Sequence, residues 1–252
     1  MIPTLDARSA TPASLTGPAD NQGRLGGRRV LATIGAGAAA AAAVGTALSL
    51  SLRWLTPWAE GPVVTQVVVA AVYLVLVTSL VISFRPVRHS PLNLRFTSGR
   101  DLGLACGAWL GFVALALAVH LVLSPLTGGV MGALRQIVRV ATDAERLQGQ
   151  PALAWMVAIP RGCLIVPVFE ELLFRGVLPG WLRTHLSSSA TLVAAAALFA
   201  LMHGYPIAMP AAFVFGLVAG WVRQVTGSTL NTVVIHVLNN VAMLLSGLLL
   251  LK

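Results

Sequence analysis

Residues 167–178 read PVFEELLFRGVL, placing two adjacent carboxylates, Glu170 and Glu171, among Val, Phe and Leu. The chain spends only eight acidic residues over 252 positions, and two of them sit here inside an apolar run. An ionisable group at membrane depth is costly, so such a residue reads first as part of a functional site. Arg175 follows Glu171 by four residues, one helical turn, and the two can pair along one face. Glu170 points about 100° away from Glu171 on the same helix. One carboxylate is thereby free to meet a different environment, which is how neighbouring carboxyls acquire different roles.

The composition surrounding this stretch is that of a membrane protein. Apolar residues make up 57% of the chain and charged residues 10%, whereas soluble domains carry about a quarter charged residues. The net charge of +9 comes almost wholly from Arg. These Arg residues fall mostly between apolar runs, as topology signals do, so nucleic acid is excluded as a partner. The bias to Arg, Ala, Gly and Val suggests a bacterial source. Cys106 and Cys163 lie in apolar segments without CxxC spacing and read as small buried side chains rather than a disulfide or metal pair.

Residues 1–28, rich in Pro, Gly, Ser and Thr, read as a disordered tail. Apolar runs follow at about 30–52, 62–84, 102–123, 153–178, 189–204, 207–223 and 229–251, close to the ~20 residues a span needs. The expected fold is all-α: a polytopic transmembrane helix bundle of about seven spans, with an amphipathic interfacial helix. That helix is expected within 124–152, where Leu134, Ile137, Val138 and Val140 recur at mostly helical spacing beside Arg135, Arg139 and Arg146. Trp54 and Trp58 mark an interface between the first two runs. The four Arg of the 85–101 segment put that loop and the N-terminus in the cytoplasm, giving a multi-pass protein of the cell inner membrane. Residues 29–149 then form an N-terminal membrane portion, and 150–252 a second helix bundle.

Polar residues appear at particular places in that second part. His203 closes FALMH, with Phe199 one turn earlier on its face. His236 opens HVLNN, with Asn240 one turn later. Three separate apolar helices thus each offer polar groups that a bundle can bring into one buried pocket. His120 and His185 have no partner at helical spacing and read as structural, and His89 falls in a loop. Phe199 reads as packing. Arg161, about nine residues before Glu170, either snorkels to the far interface or balances a buried carboxylate; the sequence leaves both open.

In order, EELLFR fits E-E-x-x-x-R, FALMH fits F-x-x-x-H and HVLNN fits H-x-x-x-N. Together they resemble the CAAX protease and bacteriocin-processing (CPBP) family of intramembrane endopeptidases over about residues 150–251. The resemblance implies that Glu170 activates a water, that His203 helps hold or polarise it, and that His236 and Asn240 form an oxyanion site. Glu171 with Arg175 would hold the helix geometry, supported by Phe199. The implied partners are a peptide or membrane-anchored protein substrate and the lipid bilayer.

Other readings have recognisable signatures. Glu170, His203 and His236 form a His₂Glu set used by catalytic zinc, but the H-E-x-x-H helix is absent. A metal-independent mechanism without cofactor is therefore expected, with a zinc-dependent one as the alternative. A transporter would need a continuous polar path and inverted repeats, which the sequence lacks. A non-catalytic binding or immunity protein of the same fold could have lost a motif residue; here all are kept.

Overall fold

A computed structural model describes residues 26–55, 62–84, 91–95, 97–123, 148–150, 152–204, 206 and 208–250, with isolated positions between 125 and 135. The N-terminal tail, and most of the segment expected to be amphipathic, lie outside the described residues. The described elements, numbered in chain order, are α1 (Gly27–Leu55), α2 (Pro62–Phe84), α3 (Gly99–Leu123), α4 (Ala152–Leu182), α5 (Ser188–Met202), α6 (Met209–Thr226) and α7 (Thr229–Leu250). No strand occurs among the described residues.

Five of these helices, α1 to α4 and α7, are long and apolar enough to cross a membrane. The protein is an all-helical, multi-pass membrane protein. The run read at 189–204 folds as α5, whose 15 residues reach only about 22 Å at 1.5 Å each. That falls short of the ~30 Å hydrocarbon core, so α5 does not count as a full span by length. The run read at 207–223 folds as α6, 18 residues closed by Arg223 in its last turn.

The helices pack chiefly as neighbours in pairs. α1 lies on α2, α5 lies on α6, and α3 and α7 close the bundle around α6 and the centre of α4. The α5–α6 approach depends on Gly216 and Gly220, one turn apart. A Cβ on Gly216 would stand 3.0 Å from both Cα and Cβ of Ala196, and one on Gly220 would stand 2.4 Å from Leu192 Cδ1. Small residues at this spacing let membrane helices touch backbone to backbone. Large apolar side chains such as Leu198, Leu201, Met202 and Trp221 remain on the outside of the same pair, as a lipid-facing surface requires.

One end of the bundle is tied together by the short segment before α3. Thr229 N–H donates to Asn93 O at 3.3 Å, and Ser228 Oγ donates to Arg95 O at 2.7 Å. Asn231 Nδ2 donates to Thr97 Oγ1 at 2.8 Å, and Arg223 Nη2 donates to Pro91 O at 3.2 Å. The two-residue α6–α7 turn is possible because Gly227 caps α6 at φ +67°, a left-handed conformation open to glycine.

Candidate active site

α4 is not a uniform helix. Two π-helical segments, Arg161–Ile165 and Leu172–Val177, bracket the regular turn Val166–Glu171 that carries the two carboxylates. Each ends two residues before a proline, Pro167 and Pro179 respectively. A proline lacks an N–H and its ring clashes with the carbonyl four residues back, and a widened turn relieves that clash. The first widened turn has a chemical consequence. Val166 N–H donates to Arg161 O, five residues back. The next residue able to serve Gly162 O in that register is Pro167, which has no N–H. The orphaned Gly162 carbonyl is instead taken by α7: Asn240 Nδ2 donates to it at 2.9 Å. One amide N–H of Asn240 is thus spent on fixing the side chain, and the second is left to donate elsewhere.

The paired carboxylates occupy different surroundings. Glu171 is completely buried. Its Oε1 accepts a hydrogen bond from His236 Nδ1 at 2.8 Å, and its Oε2 lies 3.2 Å from Arg175 Nε. Glu170 keeps 21% of its side chain exposed and makes one looser contact, 3.5 Å from its Oε2 to His236 Nε2. His236 is therefore clamped between both carboxylates, one on each ring nitrogen. Because a carboxylate only accepts, Nδ1 of His236 carries a proton. Glu170 also feels the charge of Arg175.

His203 caps the end of α5. Its Nδ1 bonds Phe199 O at 2.9 Å. A carbonyl accepts only, so Nδ1 is the protonated nitrogen, and Nε2 of the neutral ring keeps a lone pair available to a water or substrate. Phe199 is more than filler. Its ring lies 4.7 Å from His203, 5.9 Å from His236 and 5.3 Å from Phe174, centroid to centroid. Arg175 lies over its face at 4.4 Å. A buried cation on an aromatic face is favourable by up to ~2 kcal/mol, so Phe199 helps hold Arg175 in place.

Sequence reasoning missed three residues around this centre. Phe215 of α6 packs, tilted by 58°, against His236 at 4.9 Å, and its other neighbour Phe112 lies edge-on at 5.4 Å. Tyr73 of α2 packs edge-on to Phe169 and lies close enough to feel both Glu170 and Arg161. Gln66 of α2 receives Arg161 Nε at 2.7 Å, so Arg161 faces a neutral amide on the neighbouring helix. No periodicity within α2 or α6 marks these positions. The available signals were that Tyr73 is one of two tyrosines in the chain and that Gln66 is a lone amide in an apolar run. His185 bonds locally to Thr184 and stays at the periphery. Cys106 and Cys163 are free thiols. Among the described residues, no three His, Cys, Asp or Glu side chains converge tightly enough to hold a metal ion.

Residues 152–242 match the family model described as Type II CAAX prenyl endopeptidase Rce1-like. The match covers the π-bracketed helix, both carboxylates, His203, His236 and Asn240, and it agrees with the family that the three motifs resemble. It spans less than half of the chain. No curated protein and no solved structure matches the chain.

Proposed function

We propose that the protein is an intramembrane endopeptidase that hydrolyses a peptide bond with a water activated by Glu170, without a metal. The family match supports a CAAX-type protease. The observation that carries the assignment of the base is the division of labour between the carboxylates. Glu171 has both oxygens committed to buried cations or N–H donors, whereas Glu170 is partly open and only loosely engaged.

In this reading the carboxylate of Glu170 takes a proton from the water as it attacks the peptide carbonyl. The Nε2 lone pair of His203 orients that water, its ring fixed by the Phe199 carbonyl. Charge then develops on the carbonyl oxygen and needs preorganised donors. Asn240 supplies its remaining amide N–H, the other being anchored on Gly162. His236 supplies Nε2 when that nitrogen is protonated. Glu171 and Arg175 hold the imidazole in place, and Glu170 keeps the proton taken from the water. Glu170 later delivers a proton to the leaving amine, as microscopic reversibility requires.

The substrate is a peptide or the tail of a membrane-anchored protein. The Arg side chains at one end of the bundle, Arg29, Arg95, Arg183 and Arg223, support an inner-membrane orientation with that end and the N-terminus in the cytoplasm. Metal dependence separates this mechanism from a zinc-dependent one. Protein stripped with chelator should cleave at its original rate; loss of activity restored by zinc would replace the mechanism.

A further inference from the structure

A cavity of about 230 Å³ lies between α4, α5 and α6, toward the Arg-rich end, and Glu170 does not line it. Arg175, Gly176, Arg183, Thr191, Arg223 and Gln224 are among the residues lining it, and none of its lining residues is acidic. Arg175 is 3% exposed, yet both its terminal nitrogens, Nη1 and Nη2, lack a hydrogen-bond partner. Thr191 is 1% exposed, and its hydroxyl likewise has none, although a helical threonine ordinarily bonds the carbonyl four residues back. Arg223, held by Thr229 Oγ1 and Pro91 O, stands near two like charges, Arg183 and Arg95. Buried donors are normally satisfied, and clustered cations normally have a counter-charge.

We propose that this cavity binds a phosphate group. Its donors suit one: forked guanidinium nitrogens match phosphate oxygens geometrically, and a hydroxyl completes the set. Its place suits one too, since basic pockets between helices at the charged end of a membrane bundle take lipid headgroups. The phosphate can come from an anionic lipid or be free in solution. The site shares Arg175 with Glu171 through different nitrogens, so filling it leaves the Glu171 pair intact. It does not depend on the proposed peptidase activity.

The test uses the full chain in two settings. In nonionic detergent, inorganic phosphate is titrated at ionic strength held constant with chloride, reading the thermal midpoint. In nanodiscs, phosphatidylcholine alone is compared with mixtures containing phosphatidylglycerol. A saturating rise in midpoint is expected in at least one setting. Phosphate alone sufficing identifies a free-anion site; a response to phosphatidylglycerol only identifies a headgroup site. Arg183→Ala and Thr191→Val should each weaken the response by about tenfold, the value of a hydrogen bond to a charged group. Neither should lower the midpoint of the empty protein. Arg183 is exposed, and the Thr191 hydroxyl gives up no internal bond. No saturating rise in either setting, or either variant responding as tightly as wild type, overturns the proposal.

Discussion

Glu171→Gln isolates the structural carboxylate from the chemical one. The substitution keeps the shape of the side chain but removes the negative charge facing Arg175 Nε at 3.2 Å and His236 Nδ1 at 2.8 Å. Arg175 is almost fully buried, already has two unpartnered nitrogens, and makes its ion pair with Glu171, Glu170 lying beyond ion-pair distance. Breaking a buried ion pair from one side costs about 3–5 kcal/mol, because the surviving charge is left uncompensated. The Gln carbonyl still accepts one hydrogen bond, which puts the expectation at the lower end, about 3 kcal/mol. Glu170→Gln, altering a partly open side chain with one 3.5 Å contact, should cost under ~1 kcal/mol. Removing both charges in Glu171→Gln/Arg175→Gln should recover much of the loss, since a neutral pair leaves no buried ion. The assay is equilibrium unfolding of wild type, Glu171→Gln, Arg175→Gln and the double variant in one mixed-micelle system, read as a double-mutant cycle, with Glu170→Gln measured alongside. A Glu171→Gln protein as stable as wild type, or a double variant no more stable than the single one, would refute the argument that this pair anchors α4.

The other expectations concern α7, the helix interface and the metal. Asn240→Ala should lower kcat by about 10²–10³, the usual loss for one oxyanion donor, while KM changes little. Asn239→Ala, about 100° round the helix, should leave kcat near wild type, and steady-state kinetics of both variants on one substrate decide the register. Gly216→Ala should destabilise by about 1–3 kcal/mol, because its Cβ would press on the Ala196 backbone, and thermal unfolding reads this directly. Chelator-stripped protein should retain its turnover, and metal content measured on the same sample should not track activity.

Much of this arrangement can be read from local sequence. The i,i+4 spacing of Glu171 and Arg175 is a within-helix fact, and the pair forms as that spacing requires. The 100° offset of Glu170 likewise translates into its partly open position. What periodicity cannot carry is the partner chosen across the bundle. His236 reaches Glu171 over 65 residues of sequence, and its second nitrogen faces Glu170 rather than only a future oxyanion. The anchoring of Asn240 on Gly162 depends on a π turn created by Pro167, a backbone detail that the apolar pattern conceals. The length of α5 was also hidden: an apolar run of 16 positions reads as a span until its helix is seen to begin at Ser188 and end at Met202. Arg161 was undecidable because its partner, Gln66, sits 95 residues away on α2.

The central claim is that Glu170 is the base of a peptidase, and one comparison tests it most directly. Cells lacking the protein are complemented with wild type or with Glu170→Gln at matched membrane levels, and the termini of their membrane proteins and released peptides are compared by mass spectrometry. The account predicts that uncut termini accumulate equally in the deletion and in Glu170→Gln, while wild type restores the cut forms. Cut termini restored by Glu170→Gln to wild-type extent would contradict it.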